Sequence, residues 1–130
     1  MAFLLDTHTL IWWWDDNARL PGPIRSMMAD PANDIFVSAA VGWEMATKVR
    51  VGKLPEMAEA VADVNFNRWV IEDGFRHLDV RQDHGVHAGL FPGDHRDPFD
   101  RMIAAQALIE GLTVITRDPA LAAFGCDVIW

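Results

Sequence analysis

The sequence has one cysteine, Cys126. No intrachain disulfide can form, and a reducing, cytoplasmic setting fits that usage. Cys126 lies near the C-terminal strand and reads as a small core residue rather than a reactive thiol. Long apolar runs are also missing. No stretch approaches the roughly 18 residues that a membrane-spanning helix needs, so no membrane association is expected. Met1 leads straight into a strand-like segment with no basic region before it, and no signal peptide is expected. Internal repeats and low-complexity segments are absent. Zinc-type spacing is absent too. His84 and His87 are three apart, but no Cys or further His joins them, and they read as helix-surface residues. Positive charge is scarce, with 11 Lys and Arg against 19 Asp and Glu, a net −8. That balance argues by itself against an ordinary nucleic-acid binder, which presents a basic face. It fits better where acids gather in a site that holds metal cations, although an acidic surface also aids solubility.

What is present suits one domain. The chain has 130 residues, 51% of them hydrophobic, enough for a real core. Phe3–Leu5 predicts a first strand ending at Asp6, and Thr7–Trp14 a helix with Leu10, Ile11 and Trp14 on one face. Pro21 and Pro23 mark a turn before a short helix around Ile24–Met28. Ile35–Val37 predicts a second strand, and Ser38 caps a helix to about Val51, stopped by Gly52. Pro55 opens a helical stretch through about Glu72, broken near Val64–Asn67 and ended by Gly74. Phe75–Leu78 predicts a third strand and Gln82–Leu90 a short helix. Asp97-Pro98 starts a helix to Ile109, stopped by Gly111. Thr113–Thr116, Pro119–Phe124 and Asp127–Trp130 then predict strand, helix and strand. Strands alternating with helices imply an α/β fold, a mainly parallel sheet of about five strands flanked by helices. Trp12, Trp13 and Trp14 are expected in the core or at a dimer interface, although an exposed ring could stack on a base.

In such sheets functional groups gather beyond the carboxyl ends of the strands. Asp6 ends strand one, Asp118 follows strand four, Glu44 lies within two turns of the end of strand two, and Asp100 opens the helix before strand four. Each acid alone has a simpler reading. Asp6 and Asp118 suit helix N-caps, Asp118 with Pro119 at the first helical position. Glu44 precedes Lys48 by four residues, the favoured order for an ion pair on a helix. Asp97 before Pro98 is an N-cap, and Asp100 suits the dipole of its first turn. Together they are harder to dismiss, because separate segments bring them to one edge. Converging carboxylates repel unless a hard cation joins them, and oxygen ligands suit magnesium or manganese.

At these residues the chain resembles the PIN-domain ribonucleases, in particular the VapC-type toxins of bacterial toxin–antitoxin pairs. The resemblance rests on Leu4-Leu5-Asp6-Thr7-His8, on Val37-Ser38-Ala39-Ala40 with Trp43-Glu44 and the run Lys48 to Leu54, on His95 to Ala107, and on Gly111-Leu112-Thr113 through Thr116-Arg117-Asp118. It spans the chain in order. It implies that Asp6, Glu44 and Asp100 are the core acids, identified for Asp100 by the Ile103-Ala104-Ala105 run that follows, with Asp118 a more variable fourth. It implies magnesium or manganese as cofactor, hydrolysis of RNA by metal-activated water leaving a 5′-phosphate and a 3′-hydroxyl, a homodimer, and a cognate antitoxin that blocks the site. Lys48, Arg50, Arg96, Arg101 and Arg117 are the expected phosphate contacts, unless they are merely solvated. Other classes fit less well. A haloacid-dehalogenase-type phosphatase wants a second Asp two residues after the first, where His8 stands. A signalling receiver domain wants an acidic pair near strand one, and only one acid is there. A non-catalytic binding module whose acids are only caps is the remaining alternative, and it would gain nothing from magnesium.

Overall fold

Apolar residues dominate the central strands, and every strand but the last leads on to a helix. The computed structural model describes the whole chain, Met1–Trp130. Its elements are β1 (Ala2–Leu5), α1 (Thr7–Trp14), α2 (Gly22–Ala29), β2 (Asp34–Ser38), α3 (Ala39–Arg50), a 3-10 turn (Pro55–Met57), α4 (Asn65–Glu72), β3 (Arg76–Leu78), α5 (Gln82–Leu90), α6 (Pro98–Glu110), β4 (Thr113–Ile115), α7 (Pro119–Ala123) and β5 (Val128–Ile129). The sheet order is β3-β2-β1-β4-β5, with every pairing parallel. β1 is central and apolar throughout because helices cover both faces of a parallel sheet. Phe3, Leu4 and Leu5 are almost fully buried. The registers set Phe3 beside Ile35 of β2 and Thr113 of β4, so all three strands end at one edge. No helix is long and apolar enough to cross a membrane.

The order of strands reverses at β1. Chain growth runs from β1 through β2 to β3, then returns to the other side of β1 for β4 and β5. The loops after β1 and β4 therefore diverge and leave a crevice at the carboxyl edge, the place where open α/β sheets bind ligands.

Element boundaries differ from the sequence reading in two instructive places. The helical stretch after Pro55 is only a 3-10 turn and a run of turns before α4 begins at Asn65. Asp63 adopts φ of 49°, a left-handed conformation that a helix cannot continue through. β3 begins at Arg76 rather than Phe75, because the Phe75 amide donates to the Val70 carbonyl of α4. Trp12 is buried, whereas Trp13 and Trp14 pack on Phe75, Phe66 and Trp69 and both donate to Asp73 Oδ2 at 3.0 and 2.7 Å.

The sequence reading of His84 needs correction. It is fully buried between α5 and α6, while His87 is exposed as expected. The Arg81 amide donates to its Nδ1 at 2.9 Å, so in the neutral ring Nε2 carries the proton and faces Glu110 Oε1 at 2.9 Å. Arg81 also pairs with Glu110 at 2.7 Å, and these two partners hold the Glu110 carboxyl below its usual range. Nearby Gln106 donates to the Asp79 carbonyl at 3.1 Å and ties α6 to the end of β3. The spacing of two histidines along one helix says nothing of a partner 26 residues away. His84→Ala would remove the imidazole, strand the Arg81 amide and leave a cavity. We expect a loss of about 2–4 kcal/mol, read from urea denaturation. A loss under about 0.5 kcal/mol, typical of a surface position, would contradict this account of the packing.

Candidate active site

Asp6 sits where β1 hands over to α1, with only 7% of its surface exposed. It is the N-cap: its Oδ1 accepts from the Thr9 amide at 2.9 Å and lies 2.8 Å from the Thr9 hydroxyl. Its Oδ2 accepts from the hydroxyl of Thr116, at the end of β4. Asp118 follows two residues later and is the N-cap of α7, its Oδ1 accepting from the Ala120 amide at 2.9 Å. Asp6 and Asp118 line one cleft of about 400 Å³ together with His8, Thr9, Trp12, Arg19 and Arg117.

Glu44 lies in the middle of α3, buried to 5% exposure. Its Oε1 accepts from the Thr7 hydroxyl and its Oε2 pairs with Lys48 at 2.7 Å. The ion pair read from the spacing forms, but around a buried acid. Thr7 and Thr9 are thus adjacent arms of α1, one on Glu44 and the other on Asp6.

Asp97 and Asp100 separate as the sequence indicated. Asp97 caps α6, its Oδ1 accepting from the amides of Phe99 at 2.9 Å and Asp100 at 3.3 Å. Asp100 caps nothing, and its Oδ2 lies 3.0 Å from His95 Nε2. Its pKa is raised to about 6, first by burial, then by the negative charge of Asp97, with Asp118 and Glu44 adding to it and the His95 hydrogen bond opposing. Capping by itself does not separate ligands from bystanders, because Asp6 and Asp118 also cap. What marks Asp100 is the charge of two other candidate acids reaching it from different segments.

The acids share an edge without closing on one point. No group of three or more His, Cys, Asp or Glu side chains stands close enough to enclose an ion in this conformation. All donors offered are carboxylate oxygens, which suits a hard cation held by one or two carboxylates, water and phosphate. A cation held there would relieve the charge crowding at Asp100.

The expected phosphate contacts sort differently. Lys48 is engaged by Glu44. Arg101 is withdrawn from the set, because its guanidinium donates to the backbone carbonyls of Ala88, His95 and Phe91 and fastens the loop before α6. Arg50 ends α3, away from the carboxyl edge. Arg96 and Arg117 are exposed near that edge. Sequence reasoning missed Thr7, Thr9, Thr116, His95 and Arg19. The threonines stand beside the acids in the motifs. Arg19 has no such signal.

Asp100 also gives the metal-free protein a pH dependence. Its carboxyl is raised from 3.8 to about 6. Between those values the folded chain holds a proton that the unfolded chain has lost. That stability is fully present below about pH 4 and is lost as pH rises through about 6. Asp100→Asn has no charge to acquire. In excess chelator it should exceed the unsubstituted chain by about 1–3 kcal/mol at pH 7.5, with no advantage at pH 3.5. Thermal melts at both pH values check this, and a variant melting lower at pH 7.5 would contradict it.

Comparison with known proteins bears on the fold. A search of curated protein sequences found no significant match. Among solved structures, the fold resembles VapBC2 from Rickettsia felis bound to a promoter DNA fragment, with TM-score 0.73, 16% identity, and coverage of 99% of this chain and 98% of that one. It also resembles DNA-bound VapBC from Salmonella typhimurium, with TM-score 0.69, 23% identity, and coverage of 99% and 97%. A toxin–antitoxin complex from Klebsiella pneumoniae matches with TM-score 0.62, 21% identity, and coverage of 98% and 96%. At these identities the likeness is one of fold. The sequence itself matches the PIN domain over residues 3–125, from β1 to the residue before Cys126, and the chain belongs to the PIN domain family.

Proposed function

We propose that the chain is a magnesium- or manganese-dependent endoribonuclease, the toxin of a toxin–antitoxin pair, neutralised by a cognate antitoxin. The observation that carries this reading is the cleft at the carboxyl edge of the sheet that Asp6 and Asp118 line together, with the Asp100 carboxyl raised first by burial, then by Asp97, Asp118 and Glu44. The family and the toxin–antitoxin complexes among its structural neighbours support it.

Asp6, Asp100 and Asp118 would hold the ion, with Glu44 behind them. When bound, a divalent cation would supply Lewis acidity and make its water a stronger acid than bulk water. The chain's own groups do the positioning. Thr9 and Thr116 fix the Asp6 carboxylate, and His95 fixes one oxygen of Asp100. Glu44 has both oxygens occupied, so it acts through Thr7 and Lys48, locking α1 to α3. Cleavage by water would leave a 5′-phosphate and a 3′-hydroxyl.

Asp100→Asn conserves shape and removes one ligand charge, so it should lower RNA cleavage by at least about a hundredfold. Asp97→Asn should retain most activity, because Asn caps about as well as Asp. Chelator should abolish cleavage by the unsubstituted chain, and magnesium or manganese should restore it. Ends mapped on total RNA, with and without metal, provide the readout. Undiminished cleavage in excess chelator would sink the metal mechanism, and an active Asp100→Asn beside a dead Asp97→Asn would reverse the two roles.

The same reading includes a homodimer. Apolar side chains remain open on several elements, among them Ile71 at 61% and Val86 at 61% exposed, and Val128, Ile129 and Trp130 along the β5 edge. A solution mass at about ten micromolar should report two chains, since standard interfaces persist there. A monomeric mass would refute pairing.

A further inference from the structure

Positive charge is scarce in this chain, and most of it is occupied. Arg25, Lys48, Arg68, Arg76 and Arg81 are paired with carboxylates, and Arg101 is held by carbonyls. Arg19 and Arg117 have no carboxylate or carbonyl partner, yet they come together. Arg19 lies in the segment after α1, and Arg117 lies between β4 and α7. Their guanidinium carbons stand 5.9 and 5.2 Å from the ring of the same residue, Trp12. Trp12 is only 7% exposed, held by His8 and by Trp130 at 5.8 Å. It is therefore no base-stacking platform itself. An indole face attracts a guanidinium and restrains its plane. Both arginines line the cleft of about 400 Å³ that also contains Asp6 and Asp118.

We propose that Arg19 and Arg117, braced on Trp12, form a subsite for a phosphodiester of single-stranded RNA next to the one being cut. This rests on the nuclease reading for the occupant of the neighbouring acids. Guanidinium forks match phosphate oxygens bidentately. A chain of net −8 repels a polyanion, so a substrate strand needs local cations to enter an acidic edge. These two stand beside two of the acids rather than on a remote face. The contact is with the backbone, so it seats the strand without selecting its sequence.

The test measures binding and cleavage separately, in the full-length chain. A fluorescent single-stranded RNA oligonucleotide is titrated in chelator at several salt concentrations, and cleavage is measured with magnesium. Arg19→Ala and Arg117→Ala together should weaken binding about tenfold across unrelated sequences. They should flatten the plot of log affinity against log salt by about 0.7, the contribution of one neutralised phosphate on a single strand. KM should rise similarly, with kcat preserved within about twofold for a group that binds but does not react. Arg→Lys at both positions keeps charge but not the fork, and should recover the salt slope with only part of the affinity. Thermal melts confirm that the variants fold. Unchanged affinity or unchanged salt slope overturns the subsite. Normal RNA binding combined with loss of a copurifying protein partner reassigns the arginines to protein docking and also overturns it. If the unsubstituted chain cleaves while the arginine variants bind normally, the subsite alone fails. If it neither binds nor cleaves RNA, the nuclease reading fails.

Discussion

The carboxylate of Asp6 is a charge placed at the end of a fully apolar strand, with only 7% of the residue exposed. An ionised group there is tolerable only if donors surround it. The Thr9 amide donates to it, and Thr116 supplies a hydroxyl from across the sheet. The Thr9 hydroxyl lies 2.7 Å from the Ile115 carbonyl. The requirement of one acid thus joins the start of α1 to the end of β4. That junction lies where strand order reverses. The rest of the site is arranged around that junction.

The neighbouring acids show how one residue type serves different ends. Asp97 spends its oxygen on the first amides of α6, and Asp118 does the same for α7. Glu44 has both oxygens occupied and works as a brace. Asp100 has a single imidazole partner, and burial with several anionic neighbours raises its carboxyl. Arg101 is spent on the loop before α6, and Lys48 on Glu44, leaving Arg19 and Arg117 as the cations that share the cleft.

Much of this was legible in the residues. Strand and helix order followed from apolar runs and from caps such as Ser38, Asp97 and Gly111, whose chemistry is local. The separation of Asp97 from Asp100 was legible because Pro98 fixes which of them precedes the helix. The burial of His84 was not, since its partner Glu110 lies on another helix. Nor was the commitment of Arg101, because carbonyls at a loop are no sequence pattern. Arg19 sits in no motif, and only the fold carries it to Trp12.

Periodicity, capping residues and the spacing of acids determined by themselves that this chain is an α/β domain with acids at the ends of β1 and β4 and at the start of α6. These are short-range properties, in which each residue acts on neighbours a turn or less away. Which acid is braced, which is crowded and which cations remain free was decided by tertiary structure. Those outcomes depend on contacts such as Thr116 with Asp6, across 110 residues of chain. Hydrogen bonds and Coulomb interactions act over a few ångströms of space, and only packing the strands in the order β3-β2-β1-β4-β5 brings such distant residues within that range.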